Sequence, residues 1–444
     1  MIYISLGSNM GNRLSALRDA ARLIKTNILT HSYESIVIET KALLKEGAPA
    51  SWNKPYLNMV IAGKSDLSPV KLLEALKNIE EKIAGSRYKE RWSPRVIDLD
   101  ILIYNDQTIQ APGLNIPHAE LLNRDFLLHL LALMPEEYMP LIQTNSSTAP
   151  SDGAMVRADE YAHGALEYAG LFDKSFSLAV PIAGILNVTP DSFSDGGKNS
   201  SPEMAIENAK QMVLDGAEII DIGAQSTRPG GIEIIGAEKE YERLAPVLDG
   251  LKDLDAKISI DTYHPALIRR LLKEYKIDWI NDVTGNLEDD ILQEISAAGC
   301  KILTMHSLSV PPSPANILPH AQEGGAISLL KEWGRGAFER MQRLGFSAED
   351  IILDPGIGFG KSIYQNLALI RQMQELQELQ ELGVSILVGH SRKSFIFGLS
   401  TAPAKERDIE TMVMSGNLAS KVDFIRVHNV YDHHRALIAN QLSL

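Results

Sequence analysis

The chain has 444 residues, 45% hydrophobic and 23% charged, with 43 Lys and Arg against 57 Asp and Glu for a formal charge of −14; that length calls for two globular domains. So acidic a balance excludes a general nucleic-acid or acidic-membrane partner, so any anionic ligand must be met by local basic residues, and the expected partners are small molecules. The single cysteine, Cys300, excludes an intramolecular disulfide and a multi-cysteine zinc site, and with no membrane-length apolar run and no targeting peptide the expected location is cytoplasmic.

Residues 1–7 read as a strand, and Gly7-Ser-Asn-Met-Gly11 turns the chain into a helical pattern with Leu14, Leu17, Ala21 and Ile24 on one face. As a phosphate loop that turn is weak, since Gly-x-Gly-x-x-Gly is absent. Strand-like pieces at 33–39 and 56–62, a helix over 69–84 and a strand over 96–104 complete a βαββαβ order. That order predicts a ferredoxin-like α/β sandwich. Asp98 and Asp100 lie two apart in the last strand, which puts both carboxylates on one face with Cα atoms about 6.8 Å apart. Two acids on an otherwise aliphatic strand repel unless a cation lies between them. Hard divalent cations bound through carboxylates and phosphates resolve the repulsion, so the pair suits two magnesium ions on a triphosphate. The plainer reading, chance acids on an exposed face, sits poorly with Ile97, Leu99, Ile101 and Ile103. Upstream, Arg87, Lys89, Arg91, Trp92 and Arg95 bring cations and an indole beside the acids.

The run Arg91-Trp92-Ser93-Pro94-Arg95-Val96-Ile97-Asp98-Leu99-Asp100, with Tyr56-Leu57-Asn58 before it and Pro117-His118 to Phe126 after it, resembles 6-hydroxymethyl-7,8-dihydropterin pyrophosphokinase over residues 1–141. The resemblance implies that Arg95, Asp98 and Asp100 are catalytic, the two acids holding two Mg²⁺ ions that bridge the substrate ATP. Arg87, Arg95, His118 and Arg124 would meet its phosphates. Asn58 would hydrogen-bond the pterin, and Tyr56 and Phe126 would enclose its ring. Two positions depart from the family pattern: Ser86 stands where arginine usually follows the glycine, and Ala119 where tyrosine usually follows the histidine.

After Gln143 a stretch of small polar residues has neither period nor apolar anchors and reads as a surface linker. The expected domains are therefore 1–144 and 177–444, joined by a linker over 145–176 that holds a short helix. Beyond it, short aliphatic runs recur, most of them separated by helical periods, and their carboxyl ends supply Asn187, Asp221, Asp261, Asn281, His306, Asp354, Arg426 and His428. Eight β units alternating with helices predict a C-terminal (β/α)8 TIM barrel, whose strand ends carry the active site. Asp261, Asn281 and Asp354 suit a flat heterocycle with several N–H groups, whereas Arg228, Lys393, Arg426 and His428 suit an anion, with Asn187 as a neutral metal or phosphate ligand. The loop 389–394 is expected to open a helix whose N-terminus favours anions. Asp354-Pro-Gly-Ile-Gly-Phe-Gly-Lys361-Ser362 imitates a P-loop, but Pro355 stands where the first glycine belongs. The three-residue repeat from Gln374 reads as an outer barrel helix, and Asp432-His433-His434 as solvated surface.

The segment from Ile185 to Gly197, Ser226-Thr-Arg-Pro-Gly, the run from Asp354 to Lys361, Ser391-Arg-Lys-Ser and Ile425-Arg-Val-His together resemble dihydropteroate synthase from about residue 177 onward. The resemblance implies a pterin pocket of Asp261, Asn281, Met305, Asp354 and Lys393, with Mg²⁺ on Asn187. It places Thr227, Arg228, Arg426 and His428 on pyrophosphate, and Phe193, Asp195, Arg228, Pro229, Phe359 and Ser394 around p-aminobenzoate. Asn187, Asp261 and Lys393 would be catalytic, and a homodimer through the barrel is implied. Gln225 replaces the glutamate common before Ser-Thr-Arg. The two resemblances imply a bifunctional folate-biosynthesis enzyme that makes AMP and a pterin pyrophosphate from ATP and the hydroxymethyl pterin, then condenses it with p-aminobenzoate through a carbocation-like transition state. A pterin-binding methyltransferase and a non-catalytic pterin-binding module stand as rivals.

Overall fold

The structure is a computed structural model that describes residues 1–44, 47–85, 93–143, 155–166, 171–189, 201–225, 235–313, 315–319 and 325–443. It divides into two compact units, one of Met1–Leu178 with Ile438–Leu444 and one of Ala179–Leu437.

In chain order the first unit holds β1 (Ile2–Ser8), α1 (Arg13–Asn27), β2 (Thr30–Glu34), β3 (Val37–Thr40), β4 (Tyr56–Lys64), α2 (Pro69–Ala84) and β5 (Asp98–Tyr104). A hairpin of β6 (Ile109–Ala111) and β7 (Leu114–Ile116), then α3 (Asp125–Ala132), follow. The sheet runs β3-β4-β1-β5 with antiparallel neighbours, and β2 also pairs with β4. That strand order is the ferredoxin-like one. Alternation along β1 decides the two faces. Ile2, Ile4 and Leu6 pack with Leu17 and Ile24 of α1 and Leu72 and Leu76 of α2, whereas Tyr3 packs with Leu127, Leu128 and Leu131 of α3. Local signals bound the helices: the Asn12 side chain accepts from the Ser15 N–H to start α1, and α2 begins on Pro69 and stops at Gly85, whose φ of 72° only glycine adopts freely.

The linker expected over 145–176 is, from residue 155 on, part of this unit. β8 (Leu141–Gln143) pairs with β9 (Met155–Arg157), α4 (Ala158–Ala165) follows, and β10 (Lys174–Phe176) adds an antiparallel strand to β3. Apolar anchors explain the difference. Ala158 joins the α3 cluster, Phe172 stacks on His129 at 5.4 Å, and Phe176 is buried. They lie beyond the polar stretch that marked the linker.

The second unit is a closed barrel of parallel strands β11 (Ile182–Asn187), β12 (Ile219–Gly223), β13 (Lys257–Asp261), β14 (Trp279–Asp282), β15 (Lys301–Met305), β16 (Ile351–Asp354), β17 (Ser385–Val388) and β18 (Phe424–Val427). Each aliphatic run of the sequence is one of them. Outward-facing Ile220, Ile260, Ile280, Ile302, Leu353, Ile386 and Ile425 pack into the core shared with the covering helices. Inside, Ala183, Ile219, Trp279, Leu303, Ile352 and Leu387 close the amino end, with Phe424 edge-on to Trp279 at 5.0 Å. Two residues farther along each strand, on the same face, come Ile185, Asp221, Asn281, Met305, Asp354, Gly389 and Arg426. The polar layer therefore rests one pleat above an apolar floor.

One surface reading and one helix reading are corrected. His433 and His434 are buried, His434 through Nε2 on the Gly216 carbonyl at 3.0 Å and His433 through Nδ1 on that of Asn429 at 2.6 Å. The three-residue repeat is a 3-10 turn (Met373–Leu376) followed by one helical turn (Gln377–Gln380), burying Met373, Leu376 and Leu379. A helix of three residues per turn keeps such a spacing in line. Among the described residues no helix is long and apolar enough to cross a membrane.

Candidate functional site

A cavity of about 400 Å³ in the first unit is lined by Tyr56, Asn58, Arg95, Asp98, Asp100, His118, Arg124 and Phe126, so eight of the expected residues meet there. Strand register explains the meeting. Gly7 in central β1 is opposite Asn58 on β4 and Asp98 on β5, and Ser5 is opposite Asp100. The missing side chain at Gly7 leaves the floor open, since a Cβ there would stand 3.5 Å from Asn58 Oδ1 and 3.7 Å from the Tyr56 ring. Asn58 is itself held by donation from Nδ2 to Thr40 Oγ1 at 2.8 Å.

The glycine-flanked turn after β1 acts on Arg95. Asn9 donates its N–H to the Arg95 carbonyl at 3.0 Å and accepts the Arg95 N–H on Oδ1 at 2.7 Å, and the Arg95 guanidinium reaches Asp98. At the outer edge of β5, α2 substitutes for a neighbouring strand. Glu80 accepts the Leu99 N–H at 2.7 Å, and Lys77 donates to the Leu99 carbonyl at 3.1 Å and to Glu80 at 2.6 Å. The residue between the two acids is thus gripped on both sides. Burial, then repulsion from Asp100, pushes the Asp98 carboxyl up, against the pull of Arg95 and Lys77. Such a pair is short of positive charge and fits a hard cation. Among the described residues Arg124 Nε is buried without a hydrogen-bond partner, which fits an anion. Arg87, Arg91 and Trp92 lie outside the described residues.

In the barrel, Asp221 is the hub. It accepts Ser259 Oγ at 2.5 Å and Asn281 Nδ2 at 3.1 Å, and pairs with Arg426 Nε; Arg426 Nη2 reaches Asp261 at 2.8 Å. Burial pushes Asp261 up to about 7 against the pull of Arg426, and pulls Lys393 down to about 8 against the pull of Asp354. Asp354, also raised by burial, accepts the Gly356 N–H at 2.7 Å. Lys393 Nζ donates to the Ile357 carbonyl at 2.5 Å and lies 4.7 Å from the Phe359 ring, which packs with Met305 and Val283. Ser391 Oγ and His428 Nδ1 are 3.0 Å apart. Asn187 closes β11 at the same end of the barrel. Thr227, Arg228, Pro229, Phe193 and Asp195 lie outside the described residues.

The helix expected to open at 389–394 is instead a five-residue 3-10 turn, Ser394–Gly398, with Lys393 as its cap. Arg392 turns the loop with φ 59° and is held bidentately by Asp408 at 2.7 Å, so it is structural. Gln225 donates to the Tyr263 hydroxyl at 2.8 Å. Cys300 donates to the Ile277 carbonyl at 2.8 Å, and burial pushes its thiol up to about 11, as for an inert core residue. Sequence reasoning counted Asp221 among the strand-end residues of the mouth but gave it no ligand or partner, and it read Lys361 only as the end of a phosphate-loop imitation, since no local pattern announces its burial.

An α/β unit with an acid pair beside basic residues, followed by a (β/α)8 barrel with a polar mouth, defines a two-domain enzyme. The pterin binding enzyme family matches residues 183–428, and 7,8-dihydro-6-hydroxymethylpterin-pyrophosphokinase matches residues 3–135. A folate synthesis bifunctional protein of Chlamydia caviae is 37% identical over 447 residues, covering 99% of this chain and 97% of that protein. Its counterpart from Arabidopsis thaliana is 32% identical, covering 97% and 93%. Dihydropteroate synthase of Anaplasma phagocytophilum, solved with bound 6-hydroxymethylpterin-monophosphate, is 32% identical with TM-score 0.53, covering 60% of this chain and 100% of that one. The Xanthomonas albilineans enzyme with 4-aminobenzoic acid is 28% identical with TM-score 0.53, covering 61% and 95%. The chain belongs to the folate synthesis bifunctional proteins, with a pyrophosphokinase unit followed by a dihydropteroate synthase barrel.

Asp221→Asn leaves Arg426 one carboxylate where it had two. Denaturant unfolding of the barrel is expected to lose roughly 3 kcal/mol, the low end for breaking a buried pair; an unchanged midpoint would show that Asp221 is not the hub.

Proposed function

We propose that the first unit transfers pyrophosphate from ATP to 6-hydroxymethyl-7,8-dihydropterin, and that the barrel condenses the product with p-aminobenzoate to give 7,8-dihydropteroate. In the first step the pterin hydroxyl oxygen attacks the β-phosphorus, the bond to the α-phosphate oxygen breaks, AMP leaves, and the hydroxyl proton passes to solvent. Asp98 and Asp100 would hold two Mg²⁺ ions, which would supply charge neutralisation along the triphosphate. Arg95, His118 and Arg124, with Arg87, grip phosphate oxygens, Tyr56 and Phe126 enclose the ring, and Asn58 hydrogen-bonds its edge. The observation that carries this reading is the shared cavity in which the underneutralised acid pair faces Arg95, His118, Arg124, Tyr56, Asn58 and Phe126.

In the barrel, Asp261, Asn281 and Asp354 accept pterin N–H groups, with Lys393 at the ring edge and Met305 against its face. Arg426, its Nη1 free of a partner among the described residues, meets the pyrophosphate together with His428, Thr227 and Arg228. Asn187 would offer one further Mg²⁺ a neutral oxygen. These donors stabilise the departing pyrophosphate while the acceptors stabilise positive charge on the pterin methylene. The carbon–oxygen bond breaks, and the aniline nitrogen, seated by Phe193, Pro229, Phe359 and Ser394, forms the carbon–nitrogen bond and loses its proton. A homodimer through the barrel is supported by exposed Ile363, Tyr364, Phe397, Leu399, Ile409 and Val413, contributed by outer segments that follow β16 and β17.

Asp98→Ala is expected to abolish AMP formation yet condense supplied pterin pyrophosphate at the wild-type rate, and Lys393→Ala to do the reverse; loss of both activities in one folded variant would contradict separate sites. Lys393 carries its charge below about 8, so kcat/KM for the pterin pyrophosphate should fall as pH rises through that value. Lys393→Arg, which stays charged, should remove that limb of the profile; an identical profile would take Lys393 out of the pocket.

A further inference from the structure

The glycine loop after β16 looks like a phosphate loop, but its polarity is reversed. Lys361 Nζ, in a side chain 7% exposed, donates to the carbonyls of Phe359 at 2.9 Å, Gly356 at 3.0 Å and His306 at 3.3 Å, and lies 2.9 Å from His306 Nδ1. Lys393 takes the Ile357 carbonyl between them. Loop carbonyls thus face two ammonium groups, where a phosphate loop turns its N–H groups on an anion. Three glycines permit it: Gly356, Gly358 and Gly360 have φ of 68°, 85° and 68°. A Cβ at Gly356 would stand 2.0 Å from the His306 carbonyl oxygen, and one at Gly360 2.6 Å from Leu308.

A buried ammonium costs several kcal/mol unless its donors and charge are met. Here at least as many acceptors as donors surround it, Asp354 supplies opposite charge, and burial still pulls it down to about 7. His306 completes the knot as a neutral ring: burial, then Lys361, pulls it down to about 4, so Nδ1 accepts and the proton sits on Nε2. A methionine would fill the same space without that cost. What it would not do is tie the end of β15 to the loop that carries Phe359 and the carbonyl holding Lys393.

We propose that Lys361 is a positioning residue for the amine-accepting side of the barrel mouth. By fixing the carbonyls of Gly356 and Phe359 it sets the Phe359 ring, where the aniline must approach. This rests on the condensation reading above. Asp261 and Asn281 stand on other strands and are held through Asp221 and Arg426, so these two pterin acceptors are anchored independently of the loop.

The test uses the full chain with pterin pyrophosphate and p-aminobenzoate supplied. Lys361→Met is expected to raise the KM for p-aminobenzoate about tenfold, equivalent to about 1.4 kcal/mol, while the KM for pterin pyrophosphate stays within about threefold and AMP formation is unchanged. Lys361→Gln keeps two donors and should recover part of the loss. Equal rises in both KM values, or a lower kcat with both unchanged, would overturn the proposal by leaving Lys361 a general structural role. Should Lys361→Met fail to fold, the same split is read on Lys361→Gln, where a raised KM for p-aminobenzoate alone supports the proposal and an unchanged one overturns it. A wild-type chain that does not condense the two substrates would remove the barrel reading and this proposal together, whereas wild-type activity without the split removes this proposal alone.

Discussion

Both sites answer one constraint: carboxylates taken out of water need a cation beside them. The barrel meets it internally. Arg426 lies between Asp221 and Asp261, and the three hold one another in a fixed geometry before any substrate arrives. The first unit meets it only in part. Arg95 covers Asp98, while among the described residues Asp100 has no ion-pair partner. One site is therefore preorganised around a resident cation, and the other is left short of positive charge, which the metal ions proposed for it would supply. The difference suits the chemistry proposed for each, a polyphosphate carried in with its ions and a heterocycle recognised by acceptors already in place.

Much of the barrel was legible because two periods act at once. Short aliphatic runs mark strands, and a polar residue two places beyond an inward apolar one marks the mouth, as Ile219 and Asp221 or Trp279 and Asn281 illustrate. The acid pair of β5 was legible by the same period. Residues whose role is set by partners distant in sequence were not. Asn9 reads as part of a plain turn until Arg95 folds back on it, 86 residues away. Lys361 reads as the end of a phosphate loop until His306 arrives, 55 residues away. His433 and His434 read as surface because adjacent helix positions diverge, yet both are buried. The segment from residue 155 was misread because composition marks a linker well only where apolar anchors are missing, and Phe172 and Phe176 supply them.

The false phosphate loop shows how a motif can be right in conformation and wrong in polarity. Glycines at 356, 358 and 360 supply the backbone freedom such loops need, but lysines on both sides turn the carbonyls inward. In β1 the same residue type serves a different end, with Gly7 clearing the floor of the first cavity between Asn58 and Asp98.

The central claim is that one unit makes the activated pterin that the other consumes. ATP labelled in its γ-phosphate, given to the full chain with hydroxymethyldihydropterin, tests it most directly. The account predicts that AMP forms at once, that the label stays on the pterin, and that it appears as free pyrophosphate, one per dihydropteroate, only after p-aminobenzoate is added. Label released as orthophosphate, or as pyrophosphate without p-aminobenzoate, would contradict it.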